Sequence, residues 1–370
     1  MVQSLAEDRA EVYRRIVAAA VLAPSAENTQ PWRFVVHDDA LMVCLDRTRT
    51  LASDIDDMLS LTAIGACIEN AVVAAAACGL RSSVSLVDPV PTDKNPTSAA
   101  IAQVHFSAQV HLSVESGYEV LADCIESRCT CRRLDHRRLI EGSLLSELQQ
   151  SSEGLSNVVV HWVDRRRLRQ FAKLVGIGNR IRLEHQPFHQ ELYDNLRFTA
   201  NEAARTRDGL DVATLQLPRG LTRLLSALRA WPRMKRANLL GFSRSVARQA
   251  AHEVRHSGAV GFLTVPGPEA RAFVEGGRAM ERIWLTATRL GLGFHPTASL
   301  PVFLAHARTG GRGLLPYHQR LTADMSERFY QAFPEVTGRA VQMAFRIGYV
   351  SEAPLVRSLR RKVEDVLRFG

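Results

Sequence analysis

The stretch APSAENTQPWRF, residues 23–34, gathers polar and rigid side chains in a pattern that suits ligand binding. The carboxamides of Asn28 and Gln30 each present a donor face and an acceptor face. Two prolines stiffen the stretch, so that holding the amides in place costs less conformational entropy. Such groups suit the edge of a heteroaromatic ring in which N and C=O alternate. The alternative is an ordinary connection between a helix and a strand, with Trp32 in the core.

A second polar cluster, SRCTCRR at residues 127–133, has the composition of a phosphate site. A guanidinium binds phosphate oxygens through two parallel N–H bonds, and a threonine hydroxyl adds a further donor. Arg128, Thr130 and Arg132 are therefore candidate phosphate ligands. Taken by itself, the cluster is more typical of a solvated basic loop.

The stretch HEVRH, residues 252–256, matches the H-E-x-x-H pattern, in which two histidines one helical turn apart bind zinc. Its surroundings argue against zinc, because an apolar strand follows at once and no motif for a third ligand is found. The pattern is interpreted as the last turn of a helix, where histidine is favourable to the helix dipole. A zinc hydrolase stays open as an alternative, which predicts about one zinc per chain.

Other catalytic and binding motifs are absent from the sequence. No glycine-rich dinucleotide fingerprint follows a strand, no P-loop is present, and no G-x-S-x-G marks a hydrolase nucleophile. All six cysteines precede residue 132, and the Cys129-Thr-Cys131 pair is one residue short of C-x-x-C, with no second pair behind it. Neither a zinc knuckle nor a disulfide framework is expected.

Size, charge and hydropathy restrict the class of protein. A chain of 370 residues suggests about two domains. The net charge is +9, but the arginines spread along the whole chain without a recognition motif, so no nucleic-acid partner is expected. No apolar run is long enough to span a bilayer, and the first residues lack the apolar core of a signal peptide. The sequence predicts a cytoplasmic protein with no membrane partner.

The elements that position these motifs alternate between helices and strands, which predicts an α+β protein. A helix over 9–22 ends before a proline, and residues 32–46 form a hairpin. A helix over 57–79 is apolar almost all round and must be buried. Further helices are predicted near 117–127, 143–150 and 269–290, and further strands over 157–163, 258–265 and 341–349.

Together, the two polar motifs resemble those of the FMN-dependent nitroreductase superfamily, A-P-S-x-x-N-x-Q-P-W and R-R-S-x-R-x-F. Residues 276–296, 345–349 and 357–367 are similar to the late helix with its glycine turn, the strand near the end and the basic tail of that family. Residues 45–80 are similar to the D-x-x-R-x-L…G-A-x-x-x-N segment of the Acg-like branch, in which one chain holds two nitroreductase-like halves.

The resemblance implies a nitroreductase-like α+β fold in which two halves form an intrachain pseudo-dimer, each with a mainly antiparallel sheet flanked by helices. The N-terminal half spans 1–114, and the C-terminal half spans 115–370 with a possible lid near 202–220. Each half lacks the motif that the other keeps, so one complete flavin site per chain, built from both halves, is expected. The chain is then a monomer that imitates a dimer, or a homodimer.

The resemblance also assigns cofactor-binding residues. The ring of FMN would lie along the first motif, and its phosphate would lie on the second, with help from the basic tail. Two late glycines would let the backbone approach the ring. Cys129 and Leu134 depart from the family pattern, where an arginine and a phenylalanine stand. The residues assigned are Pro24, Ser25, Asn28, Gln30, Arg128, Thr130, Arg132, Gly291, Gly293, Arg360 and Arg361.

By the same resemblance, the expected activity is that of an FMN-binding oxidoreductase in which the flavin carries the chemistry and no side chain is catalytic. Hydride would pass from NADH or NADPH through FMN to an electron-poor small molecule, a nitroaromatic or a quinone, in a ping-pong cycle. The alternative is a protein that binds and sequesters flavin with little turnover, under a lid.

Overall fold

The computed structural model describes residues 2–87, 99–108, 118–135, 138–155, 157–217, 219–352 and 356–370. The predicted boundary between residues 114 and 115 lies outside the described residues. The α-helices are α1 (Val2–Ala20), α2 (Met58–Ala77), α3 (Glu119–Ser127), α4 (Gly142–Gln150), α5 (Arg165–Glu184), α6 (Gln186–Asp194), α7 (Ala200–Thr206), α8 (Arg219–Ala227), α9 (Trp231–Leu239), α10 (Phe242–Arg255), α11 (Ala270–Arg289), α12 (Ser299–Arg308), α13 (Pro316–Ala332) and α14 (Val363–Val366).

Three sheets contain the strands, which are β1 (Trp32–His37), β2 (Ala40–Leu45), β3 (Leu80–Leu86), β4 (Ala99–Ala108), β5 (Val159–Trp162), β6 (Leu196–Arg197), β7 (Leu210–Asp211), β8 (Ala259–Val265), β9 (Leu292–Thr297), β10 (Ala340–Tyr349) and β11 (Leu367–Phe369). The first sheet has the order β11-β1-β2-β4-β3, and the second has the order β5-β8-β10-β9. Only β1 and β11 are parallel neighbours within these two sheets. The predicted α+β class with mainly antiparallel sheets is therefore confirmed.

The first sheet contains the predicted hairpin, a predicted strand at β4 and two features that the sequence did not indicate. The hairpin of β1 and β2 is present, with Trp32 opposite Leu45. The edge strand β3 is serine-rich, so its pairing with β4 could not be recognised from composition. The basic tail ends in β11, which returns to pair with β1 at Phe34 and Leu367. The last described strand thus joins the sheet that is built from the first four strands.

The helices α2 and α11 pack against each other between the two main sheets. An added Cβ at Gly65 would lie 2.0 Å from Val274 O, and one at Gly277 would lie 2.2 Å from Thr62 O. Any larger side chain at either glycine would push the helices apart, because protein interiors are close-packed. The contact therefore depends on backbone lying directly against backbone.

Buried polar groups set the alignment of these two helices. Glu69 on α2 is fully buried and forms ion pairs with Arg278 and Arg282 on α11. Gln342 of β10 donates to Thr62 Oγ1 at 2.7 Å and thereby links α2 to the second sheet. A buried charge without its partner is strongly destabilising, so these pairs favour one register of the helices over the alternatives.

The buried helix predicted over residues 57–79 corresponds to α2. Among the described residues, Ile55–Ala77 is the one segment long and apolar enough to cross a membrane. The most apolar part of that segment is 94% buried inside the protein. Its hydropathy is therefore explained by its place in the core, where it is covered by the first sheet, α1 and α11.

Candidate functional site

The first polar motif folds into a strained loop between α1 and β1. Three of its residues have left-handed backbone conformations, Glu27 with φ 50°, Asn28 with φ 56° and Gln30 with φ 54°. This conformation costs about 1–2 kcal/mol for a residue other than glycine, so the surroundings must stabilise it. The half-buried Ser25 contributes by accepting a hydrogen bond from the Gln30 amide at 3.0 Å.

Asn28 joins the loop to two distant segments. Its side chain is only 3% exposed, and its Nδ2 donates to the carbonyls of Gly209 and Leu359, both at 2.9 Å. Its Oδ1 accepts a hydrogen bond from Arg360 Nη1 at 2.8 Å. Both faces of this amide are therefore bonded within the chain.

Gln30 repeats the arrangement and is fully buried. Its Nε2 donates to the Arg207 carbonyl at 2.8 Å, and its Oε1 accepts from the Arg361 amide at 2.7 Å. Both carboxamides of the motif thus bind the basic tail and the segment around residues 207–209. The donor and acceptor groups of both side-chain amides are thus bonded to these two segments.

Arg128 brings the second motif to the same place. It is 6% exposed, and its Nη2 donates at 2.6 Å to the carbonyl of Leu22, which is 106 positions earlier. Its Nε lies 3.0 Å from Glu281 Oε1, and its guanidinium lies 4.4 Å from the centre of the Trp284 ring. The second motif therefore contacts the residue that directly precedes the first motif.

Positive charge exceeds negative charge around Glu281, which is fully buried on α11. Burial raises the pKa of Glu281 to about 7, although Arg128 and Arg360 oppose the shift. Burial, together with repulsion from Arg128, lowers the pKa of Arg360 to about 9. Within the described residues, Glu281 Oε2 has no hydrogen-bond partner. Two guanidiniums share one carboxylate here, and an anion would be stabilised beside them.

A second cationic group surrounds His295. Arg132 Nη1 lies 2.9 Å from His295 Nε2, and Arg346 Nε donates to His295 Nδ1 at 2.8 Å. Burial and the two arginines hold the pKa of His295 well below its ordinary value, so the imidazole is neutral. A neutral imidazole has only one acceptor nitrogen, so it cannot accept a hydrogen bond from both arginines. Among the described residues Arg346 Nη1 finds no partner, which leaves another donor for an anion.

The remaining predicted residues have different surroundings. Thr130 forms a bridge with Phe294, so the second motif runs beside β9. An added Cβ at Gly293 would lie 2.9 Å from Cys131 Cβ, which means that this motif already fills the space beside that glycine. Gly291 forms the exposed turn after α11 with φ 69°. Pro24 is half-buried at the start of the strained loop.

The structure thus brings most of the predicted residues into one region, which we call the amide–arginine cluster: Ser25, Asn28, Gln30, Arg128, Arg360 and Arg361. Arg132 belongs to the separate group around His295. The cluster is assembled by hydrogen bonds from residues far apart in the chain. A surface cavity of about 550 Å³ lies elsewhere, and none of the predicted residues lines it.

The segment predicted as a lid lies against both motifs. Gly209 N donates to the Asn28 carbonyl at 3.3 Å, and Arg207 Nε donates to the Arg360 carbonyl at 2.7 Å. Further along, Gln216 Oε1 accepts from the Arg132 amide at 3.1 Å. Residues 207–216, which we call the cover segment, therefore touch the amide–arginine cluster and the group around His295.

Sequence reasoning missed several residues of this region. Arg346 could have been noticed, because it is a single charge inside the apolar strand β10 and charged side chains are almost never fully buried without a partner. Glu281 gave a weaker signal, since it is an acid on the face of α11 that also carries Gly277 and Trp284. Nothing in the local sequence indicated that Arg207 would reach the basic tail.

The HEVRH stretch ends α10, as the sequence predicted for its last turn. The His252 and His256 rings stack with their centres 4.0 Å apart, and Glu253 forms an ion pair with Arg346 at 3.0 Å. Within the part of the chain that the structure describes, no group of three or more His, Cys, Asp or Glu residues could hold a metal ion.

Comparison with known proteins finds relatives among mycobacterial proteins, while no family model matches the chain. The chain is 28% identical over 299 residues to protein MT1398 of Mycobacterium tuberculosis, which covers 78% of this chain and 39% of that protein. It is 32% identical over 123 residues to the protein named "Putative NAD(P)H nitroreductase acg" of the same species, over 33% of this chain and 35% of that protein. The matches thus span well under half of these relatives.

Among solved structures, the chain is similar to the FMN-dependent nitroreductase NfnB of Mycobacterium smegmatis in complex with NADPH, with 15% identity over 68% of this chain and 98% of that chain and a TM-score of 0.39. An FMN-bound nitroreductase of Desulfitobacterium hafniense gives 12% identity over 64% of this chain and 93% of that chain, with a TM-score of 0.36. Such scores mark a distant likeness. The similarity to acg, over a third of this chain, agrees with the resemblance that was drawn from the motifs.

Proposed function

We propose that this protein is a cytoplasmic FMN-dependent oxidoreductase of the nitroreductase type. Hydride would pass from NADH or NADPH through the flavin to a nitroaromatic or a quinone, in a ping-pong cycle. One observation carries the proposal: Arg128 and Arg360, from two separate parts of the chain, converge on the strained loop that holds Asn28 and Gln30. Strained backbone beside converging cationic groups is typical of a binding site.

The donors in this region fit the chemistry of FMN. Arg128 and Arg360 share a single buried carboxylate, Glu281, so a phosphate would give both guanidiniums a further anionic partner. The two carboxamides offer donors and acceptors of the kind that the edge of an isoalloxazine ring requires. When bound, FMN would supply the redox chemistry, and these residues would bind it, orient it and exclude water.

The rival function, flavin sequestration with little turnover, has its own support. The cover segment already bonds the amides of Asn28 and Gln30 and the backbone of Arg132. A ring that is to reach the two amides must first displace residues 207–209 from them. A site that opens only when this segment moves favours slow exchange of the flavin, which suits storage.

Binding is tested by reconstituting the purified protein with FMN and following the quenching of flavin fluorescence. Asn28→Ala and, separately, Arg128→Ala each remove a charge-assisted or buried hydrogen bond, so we expect FMN affinity to fall about tenfold or more. Arg328→Ala is the matched control, because this arginine is exposed and forms an ion pair with Asp324 of its own helix. If both site variants fold and bind FMN as tightly as the wild-type chain, the composite site is wrong.

Turnover is tested by stopped-flow mixing of the FMN-loaded protein with NADH and with NADPH. The oxidoreductase predicts rapid bleaching of the flavin, followed by reoxidation when a nitroaromatic or a quinone is added. Complete bleaching and rapid cycling would refute sequestration, whereas a loaded protein that neither donor bleaches would refute the reductase. Metal analysis of the same preparation checks the zinc alternative.

A further inference from the structure

Cys129 and Cys131 face each other inside the second motif. Their Sγ atoms lie 3.8 Å apart, and either thiol can donate to the other. A bridge to β9 holds this segment in place: Thr130 lies opposite Phe294, and Cys131 N donates to the Phe294 carbonyl at 2.9 Å. Residues i and i+2 of an extended segment point to the same side, which explains why the sulfurs meet. The pair is therefore held together by the fold.

The two thiols have different surroundings. Cys131 is buried, whereas Cys129 is half-buried. The hydrogen bond from the Cys131 thiol lowers the pKa of Cys129 to about 6, and Arg357 and Arg128 add to the shift. This lowering favours the thiolate of Cys129, and the thiolate is the nucleophilic form. Burial, by contrast, raises the pKa of Cys67, which packs in the core as an unreactive residue.

We propose that Cys129 and Cys131 form a redox-active dithiol that is oxidised by hydroperoxides to a disulfide within the loop. This role is separate from any flavin chemistry and needs no flavin. The oxidant is a small hydroperoxide such as hydrogen peroxide, which can reach the half-buried sulfur. The buried Cys131 acts as the resolving thiol.

The chemistry balances in two steps. The Cys129 thiolate attacks one oxygen of the peroxide, so an S–O bond forms, the O–O bond breaks and hydroxide leaves to become water. The Cys131 sulfur then attacks the sulfenic sulfur, so an S–S bond forms, the S–O bond breaks and the departing hydroxide takes the Cys131 proton as water. The two sulfurs together lose two electrons, which the peroxide accepts.

Closure of the disulfide must change the second motif. The sulfurs have to approach from 3.8 Å to about 2.05 Å, and this draws together the ends of the Cys129–Cys131 segment. Arg128 and Arg132 flank that segment directly. Oxidation therefore shifts Arg128 and Arg132 relative to Asn28 and Arg360 and weakens anion binding there. This consequence rests on the proposed function, whereas the dithiol itself does not.

The experiment counts thiols in the full-length protein. The reduced chain is treated with one equivalent of hydrogen peroxide, unfolded, labelled with a maleimide and weighed by intact mass spectrometry. The wild-type chain has six cysteines and is expected to lose two labels, with a mass lower by two hydrogens. Cys131→Ser is expected to stop at a sulfenic acid that dimedone traps, and Cys129→Ser is expected to keep all its labels. Cys78→Ser, another half-buried thiol, is the matched control and should lose two labels.

Several outcomes overturn the dithiol: six labels remaining in the oxidised wild-type chain, an unchanged loss of labels in Cys129→Ser, or a disulfide between chains on a non-reducing gel. Circular dichroism of each variant confirms folding, and Cys129→Ala provides a second substitution at the reactive position. The coupling has a separate readout, because oxidised wild-type protein should bind FMN several-fold more weakly than reduced protein. Equal affinities would refute the effect of oxidation on FMN binding. The number of labelled thiols would still test whether the dithiol forms a disulfide.

Discussion

At the scale of the residue, the strained loop and the buried charges beside it are the unusual features of this protein. Glu27, Asn28 and Gln30 keep left-handed backbones only because their side chains and carbonyls have partners in other segments. Glu281 keeps two arginines close in the buried interior. Both features cost stability, and the proposed binding role would account for such costs.

The raised pKa of Glu281 predicts a pH dependence of stability. The ordinary pKa is about 4.5 and the folded pKa is about 7, so between these values the folded chain holds a proton that the unfolded chain has released. The contribution of Glu281 to the free energy of unfolding should therefore fall by about 3 kcal/mol as pH rises from 4.5 to 7, and then level off. Urea denaturation at several pH values measures this.

Glu281→Gln isolates the effect, since glutamine keeps the shape and the acceptor oxygen but does not titrate. The difference in unfolding free energy between wild type and variant should shift in favour of the variant as pH rises through this window. The exposed Glu327→Gln controls for the loss of one carboxylate. Parallel pH curves for wild type and Glu281→Gln would contradict the assignment.

At the scale of the element, the contact between α2 and α11 is the central packing contact between the two main sheets. It depends on Gly65 and Gly277, which let backbone lie against backbone, and on Glu69, which binds two arginines across the contact. Because α11 also carries Glu281 and Trp284, a change in the spacing of the two helices alters the position of Arg128. The packing of the helices therefore determines the geometry of the amide–arginine cluster.

Gly277→Ala should be strongly destabilising. Its Cβ would lie 2.2 Å from Thr62 O, a backbone atom that cannot move without shifting α2. Overpacking of this kind costs about 1–3 kcal/mol or more, so the thermal midpoint should fall by several degrees. Gly142→Ala is the control, because an added Cβ there meets nothing within 4 Å. Similar midpoints for the two variants would show that the helices are not in backbone contact.

At the scale of the whole molecule, the return of the chain to its first sheet completes the candidate site. The strand β11 pairs with β1, and the basic tail just before it places Arg360 and Arg361 on the strained loop. The second motif reaches the same loop on the segment after α3. One cluster is thus assembled from the start, the middle and the end of the described chain.

Deletion of residues 367–370 tests this closure. Without β11, β1 becomes an exposed edge strand, and Arg360 loses the element that anchors the tail. We expect a lower thermal midpoint, more light scattering on heating and weaker FMN binding. Arg368→Ala keeps the strand backbone and should leave all three close to wild type, since its side chain is exposed. An unchanged deletion variant would show that β11 does not hold the tail in place.

Local patterns were enough to predict much of the fold. Hydrophobic periodicity predicted the hairpin, the buried helix α2, the strands β8 and β10 and the helix α11. The spacing of apolar residues within a short stretch indicates whether an element is buried on one face or on all sides. The two polar motifs were recognisable for the same reason, since each lies within a dozen residues. The class α+β and the candidate residues followed from these patterns and from the family resemblance.

Tertiary structure alone decided how those residues meet. The hydrogen-bond partners of the Asn28 side-chain amide lie 181 to 332 positions away, and no local pattern encodes such contacts. The pKa of Glu281 and the approach of Gly277 to Thr62 likewise depend on which helix packs against which. Burial, desolvation and charge repulsion act through space, so they are determined only when the chain has closed around its core.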